Sequence, residues 1–210
     1  MPFPVDCVIL RSMEMDLARI GRQVAHAPCV DLSGVVAEFS SCRTWRYTLS
    51  LPFRGRTGPH ATIILKNPSS ADQGRADKTV RTATEFVFRH FPDISGLHVL
   101  NLFAFRGTDA AEVGQIAATE GLERVTGPEN DACIRTALER MGPVLVAWGG
   151  PSGIPQTLYL RRVNTVMGML ACHPGPVYRN GRRGSDRHPF HACYWGYDDP
   201  LVAVHCREKG

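Results

Sequence analysis

The chain has 210 residues, of which 43% are apolar, and a formal net charge of +4. That size and balance describe a globular domain with a substantial core and exclude a fibrous or low-complexity chain. No apolar run approaches the roughly 18 residues that a membrane helix needs.

The start, Met1-Pro2-Phe3-Pro4-Val5-Asp6, lacks the basic flank and long apolar segment of a secretory signal, so a cytoplasmic location is expected. Residues 1–40 read as an N-terminal extension packing on a main domain over 41–210. Within the extension, residues 13–24 carry helical spacing that ends before Pro28. Residues 42–51 are rich in aromatic and β-branched side chains and read as a strand. A loop over 52–59 leads to Ala61-Thr62-Ile63-Ile64-Leu65, a buried strand that Pro68 must terminate near Asn67. Helical periodicity over 77–91 starts at Asp77 as N-cap and stops before Pro92. Residues 97–105 form a second apolar strand, followed by a loop over 106–109. Further elements are a helix over 131–141, a strand over 143–150, a helix over 155–170 and a short strand over 177–181. A loop over 182–191 and the aromatic tail Tyr194-Trp195-Gly196-Tyr197 close the chain. Strands alternating with helices predict an α/β fold, a single three-layer domain with a small parallel sheet flanked by helices. Asn67, Asn101, Gly149-Gly150 and His188 then fall at one sheet edge, the edge where open α/β sheets bind ligands.

The seven cysteines include no Cys-x-x-Cys pair, so no structural metal is expected and reduced thiols are. No Walker loop, Gly-x-Gly-x-x-Gly or Gly-x-Ser-x-Gly elbow is present, and no cofactor is expected. Six arginines between Arg161 and His188 face one acid, Asp186, a local basic field suited to a polyanion or simply to solvent.

The ordered series Asn67-Pro68-Ser69, Asp77-x-Thr79-x-Arg81, Asn101-Leu102-Phe103, Arg106-x-Thr108, Gly127-Pro128-x-Asn130-Asp131, Trp148-Gly149 and His188-Pro189 resembles an uncharacterised bacterial and phage domain family over about residues 43–191. More distantly, it resembles the uracil-DNA glycosylase superfamily. There, a Gly-x-Asn-Pro-Gly motif follows the first core strand in some branches. Leu65-Lys66-Asn67-Pro68-Ser69 keeps the Asn-Pro and loses both glycines. Asn101 falls where that superfamily has a base-reading asparagine, and Trp148-Gly149 where its third strand ends. His188-Pro189-Phe190 falls at a His-Pro-Ser-Pro-like motif without its serine and second proline. His173-Pro174-Gly175-Pro176 is the closer string but precedes the fourth strand.

The resemblance implies a uracil-DNA-glycosylase-like fold and a monofunctional DNA glycosylase that removes a modified or damaged base flipped out of DNA. A phage-type modified pyrimidine is suggested by analogy alone. Asn67 would orient the attacking water, with Asp72 either a second catalytic group or a loop cap. Asn101 would read the base or satisfy nearby backbone groups, and His188 would donate to the departing base. Lys66 and Phe103 complete the expected base pocket, although core packing is the ordinary role of a phenylalanine. Ser69, Arg106, Arg182, Arg183 and Arg187 would hold DNA. The expected partner is duplex or single-stranded DNA, without membrane contact, met by a monomer. Two rival readings are an enzyme of free nucleosides or nucleotides and a non-catalytic module that binds a modified base.

Overall fold

The computed structural model describes residues 23–206 apart from residues 69 and 108. Most of the helix expected over 13–24 lies outside the described residues. Seven strands form one mixed sheet: β1 (Val36–Phe39), β2 (Arg46–Pro52), β3 (His60–Leu65), β4 (Gly96–Asn101), β5 (Val144–Val146), β6 (Val177–Asn180) and β7 (Leu201–Ala203). Five helices accompany them: α1 (Lys78–His90), α2 (Ala110–Glu120), α3 (Leu122–Thr126), α4 (Asn130–Leu138) and α5 (Gln156–Leu170). The fold is α/β, as the alternation requires.

The strand order is β1-β2-β4-β3-β5-β6-β7. The four central strands β4, β3, β5 and β6 run parallel, while β1, β2 and β7 pair antiparallel at the flanks. The expectation of a small parallel sheet is thereby corrected to a seven-stranded mixed one. The short strands β1 and β7 carry too few alternating residues to stand out in the sequence. Residues 36–39, inside the stretch expected as an extension, form the edge strand β1.

Why β3 is central follows from its residues. Ala61, Ile63, Ile64 and Leu65 are all buried, so the strand needs cover on both faces. On one face Ala61, Ile63 and Leu65 pack with Val80, Ala83, Phe86 and Val87 of α1. These helix residues lie at helical spacing, and Asp77 caps the helix by accepting from the Val80 N–H at 2.8 Å. On the other face Ile64 packs with residues of α2, α3, α4 and α5. The aromatic tail covers the first face through Trp195, whose ring meets Phe86 edge-on at 4.7 Å; Tyr194 and Tyr197 are exposed. Among the described residues no helix is long and apolar enough to cross a membrane.

Helices α2 and α3 were not anticipated. Gly114 and Gly121 interrupt a run of small residues there and blur its periodicity. Gly114 is required for packing: a Cβ at this position would overlap the Gly153 carbonyl oxygen in the loop after β5. Gly168 in α5, by contrast, faces open space. Gly114→Ala is therefore expected to lower unfolding stability by about 1–3 kcal/mol. Gly168→Ala is expected to raise it by about 0.5–1 kcal/mol, since only backbone entropy changes. Urea denaturation of the two variants checks both signs.

Candidate functional site

The chain leaves β3 for β4 on one side and later returns to β5 on the other. The connecting helices change sheet face at that point, α1 on one face and α2 to α5 on the other. Open α/β sheets form their ligand crevice at such a switch point, which in this sheet lies between the carboxyl ends of β3 and β5. The residues delivered there are Lys66 and Asn67 from β3, and Trp148, Gly149 and Gly150 from β5.

Lys66 is only 8% exposed. Its Nζ donates to the Ser152 carbonyl at 3.3 Å, and no carboxylate lies within ion-pair distance among the described residues. Burial holds its pKa below the ordinary lysine range. Asn67 is half-buried, and its amide nitrogen donates to the Gly107 carbonyl at 2.8 Å, tying the end of β3 to the loop after β4. Anchored through its nitrogen, the amide holds its side-chain carbonyl oxygen as an acceptor of fixed direction.

Gly149 adopts a left-handed turn with φ 75°. A Cβ there would press on the His191 side chain at 3.2 Å. His191 thus sits against the end of β5. It opens a 3-10 turn, Ala192–Tyr194, and its Nδ1 accepts from the Cys193 N–H at 3.3 Å. Cys193 Sγ lies 3.1 Å from the same nitrogen. Burial, joined by the charge of Lys66 and opposed by Asp77, pushes the His191 pKa down to about 4. The ring is therefore neutral at pH 7, and acceptance at Nδ1 puts its proton on Nε2. Burial raises the Cys193 thiol, so it is not a poised thiolate.

A buried polar layer backs this crevice. Asn101 is completely buried, and neither end of its side-chain amide has a partner among the described residues. Asn130 donates to the Asn101 and Leu102 carbonyls. Arg162 donates to the Leu102 carbonyl at 2.6 Å and pairs with Asp131 at 2.5 Å. Arg46, 1% exposed, donates to the Ala71 carbonyl at 2.7 Å and so pins the loop that follows β3. Burial draws its pKa down to about 10, with Asp77 opposing.

The other anticipated residues are dispersed. Asp72 closes its own turn by accepting from the N–H groups of Gly74 and Arg75. Phe103 is fully buried in the core beside Ile64 and Leu100. His188 stacks on Tyr159, with centroids 5.6 Å apart. His173 donates its Nδ1–H to the Leu138 carbonyl at 2.7 Å, near Gly175 and Gly142 and thus at the amino end of the strands. Arg106 lies 4.9 Å from the Phe39 ring centre. Ser69 lies outside the described residues.

The basic field is smaller than the sequence suggests. Arg162 is internal, Arg179 pairs with Asp186 at 2.9 Å and Arg161 with Glu123 at 3.5 Å. Arg182, Arg183 and Arg187 are exposed, with Arg182 3.9 Å from Asp199. Their loop is clipped by Trp148 Nε1, which donates to the Arg187 carbonyl at 3.1 Å, and Tyr159 donates its hydroxyl to the Gly149 carbonyl. Sequence reasoning missed His191, Asp77 as a site neighbour and Arg46. The string His188-Pro189-Phe190-His191 carried the first, but only the fold selects which histidine meets β5.

Among the described residues no group of three or more His, Cys, Asp or Glu side chains is placed to hold a metal ion. The chain belongs to a family described as "Protein of unknown function (DUF1643)", which matches residues 46–191. No curated protein and no solved structure matches it significantly.

His191 and His98 set an expected pH dependence. Burial, His60 and Arg140 push His98 down to about 4 as well. Unfolded histidines titrate near 6.5, so between that pH and about 4 only the unfolded chain takes up these two protons. Stability should fall as pH drops through this window. Melting temperatures against pH should show His191→Gln and His98→Gln each flattening that fall.

Proposed function

We propose that this DUF1643 member is a DNA glycosylase of uracil-DNA-glycosylase-like architecture, which hydrolyses the N-glycosidic bond of a modified or damaged base turned out of DNA. The observation that carries the reading is the make-up of the switch-point crevice. Lys66 and the anchored amide of Asn67 follow β3, and the neutral His191 packs against Gly149 after β5, near enough to Lys66 for that charge to lower its pKa. Cleavage of an N-glycosidic bond leaves cationic character on the sugar and negative charge on the departing base. Asn67 accepts a hydrogen bond from the attacking water and fixes its direction; an amide is too weak a base to take the proton itself. His191 Nε2–H and the Lys66 ammonium meet the charge that develops on the base.

Asn101 supports a recognition role, because a buried amide with both ends unengaged is costly unless a ligand or water meets it. One donor and one acceptor on a rigid strand end suit the edge of a base. The exposed Arg182, Arg183 and Arg187 supply the phosphate contacts that a DNA substrate needs and a free nucleoside does not.

The test is a panel of duplex and single-stranded DNA carrying deaminated, alkylated and hypermodified bases, read as alkali-labile abasic sites. Release of at least one base is expected, and a wholly negative panel with folded protein overturns the reading. Asn67→Ala should slow release about 10²-fold through loss of water orientation. Arg183→Glu with Arg187→Glu should weaken DNA binding and shrink its salt dependence. Unchanged DNA binding in that double variant, with the base released equally well from free nucleotides, would redirect the activity to free nucleotides.

A further inference from the structure

We propose that Lys66 gives the protein a second activity, on the product of the first: its amine forms an imine with the aldehyde of an abasic deoxyribose and promotes β-elimination of the 3′-phosphate. The inference rests on the glycosylase reading for its substrate, but the chemistry is carried by the lysine itself.

Only three of the chain's 24 lysines and arginines are lysines, at positions 66, 78 and 209. Elsewhere the buried cations Arg46 and Arg162 are arginines, which cannot give up a proton at neutral pH. Among the described residues Lys66 is the one buried lysine, and it follows β3 at the crevice. Its amine has a single hydrogen bond to a backbone carbonyl, at 3.3 Å, and no carboxylate partner among the described residues. Its proton is therefore held by one backbone carbonyl and, among the described residues, by no counter-ion. Burial also makes the ammonium that meets the departing base readier to give up its proton afterwards, and the neutral amine so formed is the form that attacks carbonyl carbon. Gly150, just after β5, borders open space: a Cβ there would meet no atom within 4 Å. That leaves room for a sugar where a side chain would otherwise stand.

The step balances without an oxidant or reductant. Lys66 Nζ adds to C1′ of the ring-opened sugar, and the carbonyl oxygen leaves as water with the two amine protons. The imine nitrogen, protonated from solvent, draws electrons from C2′. The C2′ proton passes to the water oriented by Asn67, and the C3′–O bond breaks with its electron pair leaving on the phosphate. Water then hydrolyses the imine and restores the amine.

The test uses the full chain and a duplex with a preformed abasic site, so it needs no base excision. Sodium borohydride is added to reduce any imine to a stable amine. Gel mobility reports the covalent complex, and peptide mass spectrometry locates it among the three lysines and the N-terminal amine. The expected result is a complex at Lys66, accompanied without borohydride by strand cleavage. Lys66→Ala and Lys66→Arg, each checked for a native circular dichroism spectrum, should lose both signals. If neither variant folds, the mapped attachment site in the native chain decides instead. No trapped complex, or a complex at Lys78, Lys209 or the N-terminus only, overturns the inference. Base release measured in parallel on modified DNA separates the two readings. Release without trapping removes the lyase activity alone, whereas neither release nor trapping removes both.

Discussion

The constraint on which everything else depends is that β3 has parallel partners on both sides. Its residues are apolar on both faces, so only a central position buries them. A central strand whose neighbours are reached in opposite directions forces the helices onto opposite faces. The crevice at the end of β3 is therefore a consequence of topology, and Lys66-Asn67-Pro68 is the segment that topology places in it. Pro68 ends the ladder. The Asn67 amide then bridges to Gly107, converting a strand end into a fixed polar corner.

Buried guanidinium groups hold the loops that line this corner. Arg46 fastens the loop after β3 to β2, and Arg162 joins α5 to β4 and, through Asp131, to α4. Removing such a group strands backbone carbonyls and a carboxylate that have lost water, so these contacts act chiefly by making alternatives expensive. Together with Asn101 and Asn130 they form a polar layer inside an otherwise apolar protein. That layer lies at the carboxyl ends of the strands, where tolerance of such desolvation is consistent with a binding function.

Much of the fold was legible in the sequence because local and global signals agreed. Asp77 and the apolar spacing of Val80, Ala83, Phe86 and Val87 describe α1 unaided. Helices α2 and α3 were not, because Gly114 answers to a contact with Gly153, far away in sequence. The corner at Asn67 could be read from one strand and one proline. The histidine could not, because His188 and His191 share one short segment. Only the turn of Gly149 and the 3-10 turn after His191 bring the latter ring against β5, while His188 stacks on Tyr159. Arginine counting likewise overstated the basic surface, because charge pairing is a property of the folded chain.

The central claim is that the crevice between the ends of β3 and β5 is where this protein meets its substrate. The direct measurement is a backbone amide NMR titration with a short DNA duplex bearing a stable abasic-site analogue. Shift changes should concentrate at Lys66, Asn67, Gly149, Gly150, His191 and the arginine loop around Arg183. Changes centred instead on the apolar groove between α4 and α5, at Leu138, Met169 and Cys172, with the crevice silent, would contradict it.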